Sequence, residues 1–283
     1  MTDQELIDAS SRAWAALETL HVVGYFAEET TVEYVALGLH PRLSYFASRA
    51  AALGAVGPGV TEATFYVFAP ALHRKALPAA WQVTTPERLI QARRNGMAKA
   101  LTRIVGTPDV DDALGIVRRV SEGLSAPGRP LYAGHAALTW PEDDMLALWH
   151  GATLVREHRG DGHIAVLTSH GIDPVEATVL DGLWSHRSAF LTKTRGWTEE
   201  DYTAATSRLA DRGWVDADGS LSDVGREARM ELEQLTDAAA MSGWQHVGLD
   251  DTRRLAELLA PLRDAVLQCG VLPTEIGAAL SEG

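Results

Sequence analysis

The sequence has almost no cysteine and no long apolar run. Cys269 stands alone, which excludes an internal disulfide and a cysteine-built zinc or iron–sulfur centre. No stretch approaches the ~18 apolar residues of a membrane-spanning helix. The opening residues, MTDQELIDAS then SRAW, lack the basic-then-apolar layout of a secretory leader. With a single thiol besides, the chain reads as cytoplasmic, with no membrane partner. Also missing are Gly-x-Ser-x-Gly, a phosphate loop ending Gly-Lys-Ser/Thr and the Gly-x-Gly-x-x-Gly fingerprint. The sequence therefore names no nucleophile and no cofactor. Positive charge is in deficit too. Against 38 acidic residues stand 25 basic ones, for a formal net charge of −13. Phosphate binding draws on Lys and Arg, so the overall field disfavours nucleic acid, although a local basic patch remains compatible with it.

What is present is an ordinary globular composition, 46% hydrophobic and 22% charged over 283 residues, dominated by helical periodicity. Leu6, Ala9, Ala13, Leu17 and Leu20 recur at steps of three and four, predicting a helix over 3–23. Further helices are expected at 27–37, 41–53, 86–103 (capped by Thr85, with Pro86 at its first position) and 109–122. Phe65 to Phe68 fits either a helix end or a strand. SAPGRP at 125–130 has linker composition. A helix over 141–159 follows, then a tight turn bracketed by Gly160 and Gly162, and a second helix from His163 to about His170. Three regions are expected: an N-terminal helical domain at 1–124, a central helical segment at 125–172, and a winged-helix domain with a C-terminal helix at 173–283.

The most readable unit spans 173–242. Asp173, Pro174 and Glu176 form a helix start with a capping box. A helix at 174–184, a short element at 187–194 and a Thr198-capped helix at 199–212 follow. Trp214-Val215-Asp216, the hairpin dipeptide Asp218-Gly219 and Ser220-Leu221 read as two short strands before a long helix capped by Ser222 or Asp223. The fold class expected is mainly α, with winged-helix units and a small two-stranded wing. Residues 41–81 read as a diverged second copy from a tandem duplication. The string TEEDYTAATSRLADRGWVDADGSLSDVGREARMELEQ, residues 198–234, resembles the MarR-like winged-helix group. Its order of recognition helix, wing and following helix is matched by Thr198/Glu199/Glu200, Leu209/Arg212/Gly213, Asp218/Gly219 and Leu221/Ser222/Gly225, with Ser222 where the group has threonine. Through TFYVFAPALHRKALPAAW (64–81) and LALWHGATLVREHRGDGHIAVL (146–167), most of the chain is also similar to an actinobacterial family described as helix-turn-helix. That resemblance implies a fold and brings no activity.

The chemistry argues against a simple DNA reader. A base-reading helix presents Arg, Lys, Asn or Gln. Helix 199–212 offers Glu199, Glu200, Asp201 and Asp211 against Arg208 and Arg212, and the wing carries Asp216 and Asp218. Arg187, Lys193, Arg195, Arg208 and Arg212 are the candidate DNA contacts. The segment 150–163 is richer. Arg156 and Arg159 suit a carboxylate or phosphate, or else form a salt-bridged corner with Glu157 and Asp161. His158, Asp161 and His163 could converge on a metal, although their spacing is not His-Glu-x-x-His. Tyr66, His73 and Arg74 in the aromatic segment are either core or the wall of a pocket. The ligand-binding candidates are thus Tyr66, His73, Arg74, His150, Arg156, His158 and Arg159. The expected function is a small-molecule-binding or interaction protein on a winged-helix-like scaffold. Its partner would be a small molecule or anion, and a homodimer is compatible. The alternatives are a ligand-responsive winged-helix transcriptional regulator and a metal- or cofactor-dependent enzyme using 150–163.

Overall fold

The computed structural model describes residues 3–281. Fifteen helices and one short 3-10 turn make up its regular structure. Helix α1 (Asp3–Phe26) runs three residues beyond its expected end, through Gly24, and α2 (Glu28–Ala36) follows. A Cβ on Gly24 would sit 3.3 Å from both Met97 and Trp149, so this glycine permits a close approach rather than ending the helix. Next come α3 (Ser44–Ala50), the 3-10 turn, α4 (Pro58–Phe65) and α5 (Pro70–Val83). Helices α6 (Pro86–Val105), α7 (Asp111–Glu122) and α8 (Pro130–Ala136) lead into α9 (Asp144–Ser169).

The main core joins α1, α6, α7 and α9 to α14 (Ser242–Gln268), through Leu17, Leu101, Val117, Leu148, Leu255 and Leu259. Although it comes late in the sequence, α14 packs along α1 and α7 and completes this core. It is broken once, at Gly248, whose φ is 80°. A second apolar cluster, with Phe46, Leu77, Leu89 and Leu131, holds α3, α5, α6 and α8. A third joins the end of α9 to α10 (Pro174–Trp184), α12 (Glu199–Asp211) and α13 (Asp223–Ala240), through Leu167, Ile172, Leu180, Leu209 and Leu232. Helices α11 (Ser188–Arg195) and α15 (Thr274–Ser281) complete the order.

Two expectations about 125–172 and 173–242 are corrected. First, α9 is one helix, with no turn at Gly160 and Gly162. Gly162 is needed for packing instead. A Cβ there would lie 2.5 Å from Arg129 Nη1, and that guanidinium donates to His158 O and, at 2.6 Å, to Ala239 O, tying α9 to α13. Second, the two-stranded wing is absent, and no strand occurs among the described residues. Residues 212–222 form a reversal with one isolated antiparallel bridge, Val215 with Leu221. Asp216 N donates to Ser220 O and Ser222 N to Trp214 O. No ladder can grow from it. On one side α12 has just ended, and on the other Ser222 already caps α13, accepting from Gly225 N at 2.9 Å. Residues 41–81 do not repeat even this order. They fold as α3, the 3-10 turn, α4 and α5, and Phe65–Phe68 is a helix end followed by a break at Tyr66, whose φ is 44°. The duplication is therefore not seen.

The reversal places Gly225 against backbone. A Cβ on Gly225 would lie 2.1 Å from Trp214 O, and neither group is free to move. Gly225→Ala is expected to destabilise the protein by about 3 kcal/mol. Gly277→Ala, in α15 with open space around it, should change stability by less than about 1 kcal/mol. Urea unfolding of the two variants checks the contrast.

Candidate functional site

The middle of α9 is unusually polar for a buried helix. Glu157 is fully buried, and Arg49 on α3 grips it with both arms, Nε to Oε1 at 3.0 Å and Nη2 to Oε2 at 2.7 Å. Arg156 approaches the same carboxylate at 3.3 Å and pairs through Nε with Glu18 of α1, also at 3.3 Å. Burial alone would push the Glu157 carboxyl up, but the Arg49 and Arg156 guanidiniums outweigh it and hold the group well below the usual range. Two tyrosines border the network. Arg49 Nη1 donates to Tyr45 Oη at 3.1 Å, and Arg156 Nη1 lies 3.5 Å from Tyr25 Oη.

Tyr25 is fixed by a directed chain of hydrogen bonds. Thr153 Oγ1 donates to Trp149 O at 3.1 Å. Its lone pair therefore faces His21 Nδ1 at 3.0 Å, which places the ring proton on Nδ1. His21 Nε2 is then the acceptor for the Tyr25 hydroxyl at 2.7 Å. The Tyr25 oxygen consequently presents lone pairs toward Arg156. Burial drives His21 well below its ordinary pKa, consistent with the neutral ring this chain requires.

This network lies beside a cavity of about 1180 Å³. One wall comes from α1, α3, α4 and the segment after α4, with Tyr25, Tyr45, Phe65 and Phe68. A second comes from α9, with Arg156, Arg159 and His163. A third comes from α10, α11 and α13, with Asp181, Phe190, Arg195 and Arg229. In a chain of net charge −13, nine Arg and Lys residues line this space against three Asp and Glu. Most of the arginines are already paired, Arg159 with Glu233 and Asp237, and Arg187 with Asp181 at 2.8 Å. Arg195 differs. It lies over Phe68 at 4.6 Å and donates to Thr194 Oγ1, and no ion pair answers it among the described residues. Burial pulls its pKa down from the usual value.

The residues singled out in the sequence separate. Tyr66, Arg156 and Arg159 reach the cavity. Tyr66 is occupied in part, its hydroxyl donating to Ile172 O at 2.5 Å. His73 is buried against Phe46 with Nδ1 on Thr61 Oγ1. Arg74 is exposed and points to Glu62, away from the cavity. His150 packs edge-on to Trp140 and His158 edge-on to Tyr132. His158, Asp161 and His163 have separate surroundings, with Asp161 accepting from Tyr132 N and His163 on Thr236 Oγ1. Among the described residues no group of three or more His, Cys, Asp or Glu side chains is placed to hold a metal ion. Of the DNA-contact candidates, Arg208 bonds Asp173 and Glu176, and Arg212 bonds Gly171 O and stacks on Trp214. Lys193 is the exposed one of the α11 pair, and it too borders the cavity.

Sequence reasoning missed Arg49, Glu18, Tyr25 and His21. Arg49 had a signal, a lone charge inside the small-residue run ASRAAAL. Tyr25 and His21 had none, because their meaning depends on Thr153 far along the chain. The sequence model of a helix-turn-helix family matches residues 10–273, and the chain belongs to that family. No curated protein and no solved structure matches it. No helix among the described residues is long and apolar enough to cross a membrane.

Two predictions arise from the buried groups. Glu157→Gln leaves Arg49 without its carboxylate and should cost about 3–5 kcal/mol in denaturant unfolding. The double variant Arg49→Met/Glu157→Leu should cost clearly less than the sum of its singles. The second concerns pH. Burial pulls His135 to about 3 and His73, His150, His158 and His163 each to about 4. Unfolded histidines take up protons near pH 6.5. As pH falls from about 6.5 towards 4, the unfolded state therefore binds more protons and stability drops. Asp161, raised to about 6 by burial, opposes this in part, since its folded form holds a proton that the unfolded form has lost. One carboxyl does not offset five imidazoles. Unfolding at pH 7.5 and pH 5 should show the lower stability at pH 5, and a flat profile would contradict it.

Proposed function

We propose that this helix-turn-helix protein binds an anionic small molecule with an aromatic or broad apolar body in the α1–α3–α9–α11 cavity. The observation that carries this reading is Arg195. It is a half-buried cation, laid on Phe68 at 4.6 Å, bordering a space of about 1180 Å³ with no carboxylate paired to it. A charge placed so is worth most when a ligand carboxylate, sulfonate or phosphate completes it. Tyr25, Tyr45, Phe65 and Phe68 offer ring faces and edges for the ligand body. Ligand pockets commonly combine such an apolar lining with a few fixed polar groups. The cavity volume slightly exceeds the usual ligand-pocket range of about 300–1,000 Å³, which favours a ligand of more than one ring.

Helices α10 and α11 supply one wall, so occupancy bears directly on the helix-turn-helix part of the chain. This supports a second reading, a ligand-responsive transcriptional regulator, which family membership favours. Its difficulty is electrostatic. The first turn of α12 carries Glu199, Glu200 and Asp201, and four of the five candidate basic contacts are engaged within the chain. A duplex-binding titration by fluorescence anisotropy, with and without ligand, distinguishes the readings. Ligand-dependent, salt-sensitive binding supports a regulator, and no binding at low salt removes it.

The ligand reading is checked with anilinonaphthalene sulfonate, an aromatic anion, titrated into the full chain. Saturable one-to-one binding is expected. Arg195→Met should weaken it about 10–100-fold, the loss of one charge-assisted contact. Arg74→Met, outside the cavity, should leave it unchanged. Equal loss in both variants, or none in either, removes the proposal.

A further inference from the structure

The aromatic wall of the cavity carries two hydroxyls of opposite polarity. Tyr25 on α1 and Tyr45 on α3 both line the space, and both are half-buried. Their rings meet edge to face with centres 5.0 Å apart. Tyr25 has committed its proton. The hydroxyl donates to His21 Nε2 at 2.7 Å, because Thr153 holds the proton of that ring on Nδ1. Burial raises the Tyr25 phenol, so the proton is retained. What the oxygen still offers is lone pairs. Its one further partner, Arg156 Nη1, lies 3.5 Å away, beyond the ordinary hydrogen-bond length, and that nitrogen also faces both oxygens of Glu157.

Tyr45 is the reverse case. Its oxygen accepts from Arg49 Nη1 at 3.1 Å, and among the described residues its own proton meets no acceptor. The guanidinium next to each hydroxyl also contacts the same carboxylate, Glu157, so the two hydroxyls are set around one salt-bridged cluster at the cavity edge. One atom that donates to Tyr25 and accepts from Tyr45 would answer both. A carbonyl or ether oxygen only accepts. An ammonium only donates, and it would meet the like charges of Arg49 and Arg156. A hydroxyl does both. From Tyr45 the wall continues to Phe68, with ring centres 5.3 Å apart, and from Phe68 to the Arg195 guanidinium at 4.6 Å. The hydroxyl pair and the cation are thus linked by successive ring contacts along one wall.

We propose that the cavity takes a hydroxy acid, with its acid group at Arg195 and, at the other end of an aromatic body, a hydroxyl that donates to Tyr25 Oη and accepts from Tyr45. This rests on the ligand reading above and adds the group at the far end. An analogue without the hydroxyl leaves two polar groups of the wall unanswered, which is the arrangement that discriminates most sharply between otherwise similar ligands.

Calorimetric titration of the full chain compares 6-hydroxy-2-naphthoate with 2-naphthoate, and 4′-hydroxybiphenyl-4-carboxylate with biphenyl-4-carboxylate, so that two ligand lengths are sampled. In at least one pair the hydroxy acid should bind about 10-fold tighter, as two added hydrogen bonds require. Its methyl ether, which accepts but cannot donate, should lose most of that gain. In Tyr25→Phe and in Tyr45→Phe the ratio of the two affinities should fall towards one. In Arg195→Met both acids should weaken while the ratio persists. Arg195-dependent binding with no hydroxyl preference in either pair overturns this inference and leaves the cavity reading standing. A preference undiminished in either tyrosine variant overturns it as well. Failure of every acid to bind overturns both. Should a tyrosine variant fail to fold, the methyl ether decides with the unaltered protein, and an ether as tight as the hydroxy acid removes the proposal.

Discussion

Placing Glu157 in the interior of α9 imposes a condition on everything around it. An ionised carboxylate cannot remain there without cations, and the cations must come from elsewhere in the chain. Arg49 reaches it from α3, and Arg156 connects it to Glu18 on α1. The long helix is thereby tied to two N-terminal helices at one level. The apolar clusters above and below can slide and repack at modest cost, but a bidentate Arg–carboxylate pair has a narrow geometry. This network therefore acts as the locating point of the fold. It sets the distance between α9 and α3 at the place where the cavity opens, and it orients Tyr25 and Tyr45 along the cavity edge.

The sequence disclosed local features well. Thr85, Asp173, Thr198 and Ser222 cap helices as expected, because an N-cap bond spans only two or three residues. The helix-turn-helix resemblance read from 64–81 and 146–167 is met by a family match over residues 10–273. What depended on distant parts of the chain was misread. Gly160 and Gly162 look like a turn in sequence, yet Gly162 serves the approach of Arg129, thirty-odd residues earlier. Asp218-Gly219 does signal a reversal, and Gly219 adopts φ 85°. A reversal is not a wing, however. Strands need residues on both sides, and the ends of α12 and α13 leave none.

The candidate site shows the same division. Arg156 and Arg159 stood out because they cluster with charges along one helix, and both reach the cavity. Arg49 and Tyr25 complete the surroundings, but their contributions become visible only when α1, α3 and α9 are brought together. Arg195 stood out as a candidate DNA contact. In sequence it belongs to a basic segment beside a helix-turn-helix. In space it lies on Phe68, more than a hundred residues away, and borders the cavity.

This placement of Arg195 bears on the surface that the α10–α12 unit presents. Arg195 lies on the Phe68 ring, and Arg208 and Arg212, both partly exposed, are held by Asp173, Glu176 and Gly171. These pairs also join α12 to the start of α10, so they stiffen the unit while neutralising its basic residues. The acids at the start of α12 remain outward, where helix-terminal amides stabilise them. The result is a helix with an acidic first turn, next to a cavity whose charged lining residues are mainly cations. Within one chain of net charge −13, nine Arg and Lys residues line that cavity against three Asp and Glu.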